Sequence, residues 1–168
     1  DRGTLVVIPR ANVTAITREQ RCGADGVDLN RSFPGDENGS LSWQLAAAIH
    51  RVMLEFEPDW VLDLHEAQAF ERLQPGALGQ TIIVPRGAEH TELIEALLER
   101  LNCSVTQPEH HFLPLQGLAA GSSLAAASKM GAECLLVETC RQLPLAQRVD
   151  YQRRVVSILL DLLGVTVY

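Results

Sequence analysis

Lysine is almost missing from this chain: of its 14 basic residues only Lys129 is lysine, and 13 are arginine. Positive charge is short overall, with a formal net charge of −7 at pH 7. That balance excludes a protein built mainly to neutralise nucleic-acid phosphates, which takes a basic face. No apolar run approaches the ~20 residues a bilayer-spanning helix needs, so a membrane partner is not expected. The four cysteines, Cys22, Cys103, Cys134 and Cys140, show no CxxC spacing. A zinc ribbon or thioredoxin-like motif is thereby excluded, and free, buried thiols are predicted. There is no GxSxG elbow, so Ser122 and Ser123 read as a helix cap and not as nucleophiles. A glycine-rich phosphate loop after a strand is absent too. The chain opens at Asp1, without an initiator methionine or a secretory signal, which by itself does not assign a compartment; a cytoplasmic location is the expectation.

What remains is an ordinary globular composition, 46% hydrophobic, in a length that fits one domain over residues 1–168 burying roughly 70% of its extended surface. Thr4 to Ile8 is rich in β-branched residues and predicts a buried strand closed by Pro9. From Arg10 to Gly39 there is almost no periodicity, which predicts a long functional loop. Helical spacing of apolar residues predicts helices over Ser40 to Phe56, Glu89 to Leu101, Ser122 to Met130 and about Leu145 to Leu163. Short strands are predicted at Trp60 to Leu64, Thr81 to Val84 and Cys134 to Val137. Strands alternating with helices imply an α/β sandwich around a largely parallel or mixed sheet.

In such sheets ligands bind beyond the carboxyl ends of strands. His65 follows Trp60-Val-Leu-Asp-Leu, and Glu138 follows Cys134-Leu-Leu-Val, so each is delivered to a strand end. Either, alone, also fits a structural hydrogen-bonding residue. Within the long loop, Gly26-Val-Asp-Leu-Asn-Arg-Ser-Phe-Pro-Gly35 sets Asp28, Asn30 and Arg31 in a turn, an amide beside a guanidinium fork suited to carboxylates. His110 and His111, between Pro108 and Pro114, are read as a solvated pair. Glu66 should point away from His65 if the strand continues.

The Asp-Leu-Asn-Arg-Ser-Phe-Pro-Gly stretch resembles the DLNRxFPG signature of the zinc carboxypeptidase clan. The order of the other segments is similar to that of its succinylglutamate desuccinylase and aspartoacylase branch. Those segments are the strand leading to Pro9-Arg-Ala-Asn12, the arginine in the loop, Asp63-Leu-His-Glu66, and Val137-Glu-Thr139, with His65 and Glu138 73 residues apart (138 − 65). The resemblance implies a carboxypeptidase-like (phosphorylase/hydrolase-like) sandwich with a mixed, largely parallel central sheet flanked by helices. It implies that His65 is a zinc ligand, Glu138 the general base and acid, and Arg21 the group that stabilises the oxyanion, with Arg10 and Arg18 as rivals. Asn30 and Arg31 would grip a substrate carboxylate, Asp28 would orient a zinc-bound histidine, and Arg141 is a candidate for the substrate pocket. The implied reaction is hydrolysis of an amide or peptide bond beside a free carboxylate, on a small N-acyl amino acid or a peptide with a free C-terminus.

One expected feature is missing. In this clan the first two zinc ligands come from an HxxE motif, and none of His50, His65, His90, His110 or His111 is followed by Glu at that spacing. The favoured expectation is that HxxE lies on polypeptide ahead of Asp1, so that one zinc ion is completed from outside these residues. The alternative is a catalytically inactive carboxylate-binding module that has lost the metal.

Overall fold

The computed structural model describes residues 3–87 and 91–165. His90, and the predicted helix start at Glu89, lie outside them. The described residues fall into two compact units, one of residues 3–5, 62–87, 91–117 and 135–165, the other of residues 6–61 and 118–134.

A four-stranded sheet, most of whose residues lie in the first unit, has the order β1-β6-β4-β5, made of β1 (Trp60–Ala67), β6 (Glu133–Cys140), β4 (Thr81–Val84) and β5 (Leu113–Gln116). β5 runs parallel to β4, and β6 antiparallel to it, with Thr81 opposite Glu138. The Glu133 N–H donates to Asp59 C=O and the Arg141 N–H to Ala67 C=O. These bonds advance in the same direction along both chains, as in a parallel pair. The sheet is therefore mixed, as the alternation of elements predicts. All four residues of β4 are buried, which is what an uninterrupted Thr-Ile-Ile-Val run on a covered strand requires. Two further short strands, β2 (Ala69–Phe70) and β3 (Leu78–Gly79), pair beside it.

Helices α3 (Thr91–Asn102) and α5 (Leu145–Leu162) pack on each other in the same unit. Leu97, Leu101, Leu135, Val137 and Val155 are fully buried there, and Phe112 meets Tyr151 edge-on at 5.6 Å. Asn102, at the end of α3, donates to Phe112 C=O and accepts from Phe112 N–H, which fixes where β5 begins.

The second unit is helical: α1 (Val13–Thr17), a 3₁₀ turn at Leu29–Arg31, α2 (Leu41–Phe56) and α4 (Ser123–Lys129). α2 packs on the 3₁₀ turn and on α4 around Leu29, Phe33, Ala46, Ile49 and Ala126.

Four sequence expectations need correction. Thr4 to Ile8 is not a strand, and Leu5, Val6, Val7 and Ile8 are 54%, 43%, 65% and 43% exposed. High β-propensity describes a fit to a pleated, half-buried surface, and among the described residues this run has no ladder to join. β5 was hidden inside the Pro-bounded histidine segment. Pro114 is tolerated because β5 is the edge strand, where a missing N–H costs no ladder bond on the outer side. The long loop also contains α1, a five-residue helix started by Asn12, whose Oδ1 accepts from Ala15 N–H. The cysteines are free, but only Cys134 and Cys140 are buried, Cys22 being half-buried and Cys103 exposed. Burial pushes the Cys134 thiol up to about 11.

Ser40 occupies the N-cap position of α2 yet makes no side-chain bond to the helix. Asp25 does that work from the loop, accepting from Ser42 N–H at 2.8 Å, Ser42 Oγ at 2.7 Å and Ser40 Oγ at 2.5 Å. These bonds, the Ser40 hydroxyl first, hold the Asp25 carboxyl well below the usual carboxylate range, and an anion at a helix N-terminus is favourable besides. A depressed folded-state pKa gives stability that is present above the unfolded value of ~3.9 and is lost as pH falls below it. Asp25→Asn is thus expected to lower the melting temperature at pH 7, with the gap to wild type narrowing progressively from about pH 4 downward. Thermal denaturation followed by circular dichroism across that range checks it, and a gap independent of pH would contradict the assignment.

Candidate active site

Alternation along β1 puts Asp63 and His65 on one face and Leu64 and Glu66 on the other. On the first face His65 Nε2 lies 3.1 Å from Asp63 Oδ2, and His65 Nδ1 lies 3.9 Å from Glu138 Oε1 on β6. The imidazole is thus bracketed by two carboxylates, with its side chain 25% exposed and Glu138 at 8%. Both residues lie inside their strands, which run three residues further than the apolar runs alone indicate.

The backbone at this point is clamped from α5. Gln152 Nε2 donates to His65 C=O at 3.0 Å and to Thr139 Oγ1 at 3.1 Å, and Thr139 Oγ1 donates to His65 C=O at 3.3 Å. Thr139 is completely buried. Sequence reasoning missed Gln152, since a glutamine on an amphipathic helix carries no local sign of a partner 87 residues away. On the opposite face Glu66 pairs with Arg148, whose Nε also donates to Leu143 C=O. Arg141 sits beside Glu66, its Nε 4.0 Å from Oε2. The expectation that Glu66 turns away from His65 holds, and Arg148 is a partner the sequence did not disclose.

The Asp-Leu-Asn-Arg turn forms a second group, in the helical unit. Asp28 caps the 3₁₀ turn, its Oδ1 accepting from Asn30 N–H at 2.9 Å. Its Oδ2 accepts from Arg21 Nε at 2.9 Å and Nη2 at 2.8 Å, a fork grip. Among the described residues it is therefore Arg21 that Asp28 holds. Asn30 Oδ1 accepts from Ser123 N–H at 2.9 Å and Ser123 Oγ at 3.3 Å. That fixes the amide with its oxygen toward the start of α4. Arg31 Nη1 donates to its neighbour Asn30 C=O at 2.6 Å. The turn is seated on α4 by Phe33 N–H donating to Gly121 C=O. Gly121 has a φ of +72°, and a Cβ there would lie 2.6 Å from Arg31 O, so no other residue lets the two segments approach so closely. Ser122 caps α4 through Ala125 N–H, as predicted.

His110 stacks on Phe70 with ring centroids 4.0 Å apart, and His111 Nε2 contacts Val105 C=O at 3.1 Å. The pair is built into the fold and is not simply solvated.

A catalytic zinc takes three protein ligands and keeps a fourth position open. Among the described residues no group of three or more His, Cys, Asp and Glu is placed to hold a metal ion. His65 alone does not make such a centre, so these residues do not by themselves fit a zinc site. No helix among the described residues is long and apolar enough to cross a membrane.

Compared with known families, residues 2–163 match the succinylglutamate desuccinylase/aspartoacylase catalytic domain. The chain belongs to this family. One curated family-type relative is N-alpha-acetyl-L-2,4-diaminobutyric acid deacetylase of Halomonas elongata, 36% identical over 91 residues, which are 53% of this chain and 23% of the relative. Among solved structures, a variant of the cell shape determinant Csd4 from Helicobacter pylori superposes with a TM-score of 0.82 at 21% identity, covering 95% of this chain and 43% of that one. The succinylglutamate desuccinylase/aspartoacylase of Rhodobacter sphaeroides gives 0.63 at 22% identity, covering 92% and 43%. The fold is thus the carboxypeptidase-like one that the resemblance implies. The chain spans under half the length of these structures and about a quarter of the deacetylase.

Proposed function

We propose that this family member serves hydrolysis of an amide bond next to a free carboxylate, with Glu138 as the proton carrier. The observation that carries it is the pairing of His65 with a nearly buried Glu138 on adjacent strands of a domain belonging to a deacylase family. Glu138 takes the proton of the attacking water and passes it to the leaving amine, the two tasks of a general base and acid. In this proposal the oxyanion-stabilising role falls to Arg21, and the substrate-carboxylate role to Asn30 and Arg31, as the family resemblance implies. Arg141, which lies beside Glu66, stays a substrate-binding candidate of the proposal. Zinc enters this proposal only in the conditional: His65 is the residue of this chain that would serve as a ligand to it. When bound it supplies a Lewis acid and an acidified water.

An N-acyl amino acid is favoured over a peptide. The relative matched by sequence is named a deacetylase of an N-acetyl amino acid. A Csd4 structure described as a D,L-carboxypeptidase, with bound mDAP, shares only 20% identity with this chain and so supports the fold alone.

The test is a substrate panel on the protein at its natural length with zinc present: N-acetyl amino acids, their C-terminal amides, and short peptides with free C-termini. The free acids are expected to be hydrolysed best, and amidation to lower kcat/KM roughly 10- to 100-fold, the worth of a hydrogen-bonded charge. Equal hydrolysis of acid and amide would remove the carboxylate-binding roles of Asn30 and Arg31. Saturable binding of the acids with no turnover at all would favour the inactive binding module.

A further inference from the structure

We infer that Gln80 is a positioning residue that sets the place of Glu138, an inference that rests on the proton-carrying role proposed for that carboxylate. Gln80 is 1% exposed and has a φ of +61°, the left-handed region that a side-chain-bearing residue seldom enters. Such conformations persist where the surroundings over-determine them, and they concentrate at functional sites. Here every polar group of Gln80 is engaged. Its N–H donates to Glu138 C=O at 2.7 Å and its C=O accepts from Leu113 N–H at 2.9 Å. Its Oε1 accepts from Cys140 N–H at 3.2 Å, and its Nε2 donates to His110 C=O at 3.3 Å.

The geometry follows from the ladder. Thr81 and Glu138 are antiparallel partners, so a regular β4 would continue with residue 80 opposite residue 139. Gln80 turns out of that ladder, and its side-chain carbonyl replaces the backbone acceptor that Cys140 N–H would otherwise find there. One residue thereby holds the peptide groups on both sides of Thr139, the first of them through Glu138's own carbonyl. Its neighbour tightens the junction: a Cβ at Gly79 would lie 2.2 Å from Ala69 O and 3.0 Å from Cys140 Cβ. The segment therefore lies hard against the end of β6, with little room to shift. From the other side Thr139 and Gln152 hold His65 C=O. Glu138 is fixed relative to His65 by a backbone gripped from both flanks, the kind of support that keeps a reacting carboxylate in register.

The experiment measures kcat and KM for Gln80→Met, Gln80→Gly and Glu138→Gln in the protein at its natural length, zinc-loaded and well below the unfolding temperature. Met keeps the length of the side chain but removes donor and acceptor, and Gly accepts the left-handed backbone without strain. Each Gln80 variant is expected to lose about tenfold or more in kcat, since a 1 Å misplacement can cost ~10²-fold, with KM within about twofold. Amide hydrogen exchange at Cys140 is expected to quicken in both. Wild-type kcat in either folded variant, with Glu138→Gln inactive, would overturn the positioning role and leave the proposed function standing. Full turnover by Glu138→Gln would overturn that function itself. Failure of both Gln80 variants to fold would reduce Gln80 to a structural bridge.

Discussion

Glu138→Gln is expected to lower kcat by roughly 10²- to 10⁴-fold, the usual worth of a positioned general base, while substrate binding is retained. Three features favour a clean result. The substitution keeps the shape of the side chain and removes only its ability to accept and return a proton. Glu138 stands within a strand and is 8% exposed, so an amide of the same size disturbs little packing. Its neighbour His65 keeps Asp63 Oδ2 at 3.1 Å on the other nitrogen, and a flanking carboxylate of this kind maintains ring orientation. Steady-state kinetics on a favoured N-acetyl amino acid, with binding of a non-hydrolysable analogue measured in parallel, separate the two effects. A kcat within a few-fold of wild type would remove Glu138 from the reaction, whatever its place in the fold.

The parts of this molecule that were legible in the sequence are those whose information is local. The Thr-Ile-Ile-Val strand, the three long helices and the serine cap of α4 follow from apolar periodicity and cap chemistry, and they stand where expected, to within a residue or two, wherever their ends are described. The Asp-Leu-Asn-Arg turn was legible as well, because its own Asp28 closes it through Asn30 N–H two residues on. What escaped is held by partners distant in sequence. Ser40 has the right chemistry to cap α2, but Asp25 takes the task from 17 residues before Ser42. Gln80, Gln152 and Arg148 each bond to elements tens of residues away, and no local pattern marks a polar residue for such a contact. Thr4 to Ile8 failed in the opposite sense: its composition suits a strand, yet composition does not supply a neighbour.

Among the arginines, Arg21→Ala is expected to cost roughly 10²- to 10³-fold in kcat, as removal of an oxyanion donor does. Arg31→Ala should instead raise KM about 10- to 100-fold with a smaller effect on kcat, since it removes a grip made equally in ground and transition states. The structure gives a third variant that ties the two arguments together. Asp28 Oδ2 accepts from both Arg21 Nε and Nη2, so Asp28→Asn loosens the fork that aims the guanidinium, and its loss in kcat should not add to that of Arg21→Ala. At 67% exposure for the Arg21 side chain the pair contributes little to stability, so the melting temperature of Arg21→Ala should stay close to wild type while its kinetics diverge. Kinetics of the three single variants and the Asp28→Asn, Arg21→Ala double variant decide the matter. If Arg10→Ala or Arg18→Ala proves the costlier loss in kcat, the oxyanion role passes to that residue, and the Arg21 fork becomes a purely structural clasp for the turn that carries Asn30 and Arg31.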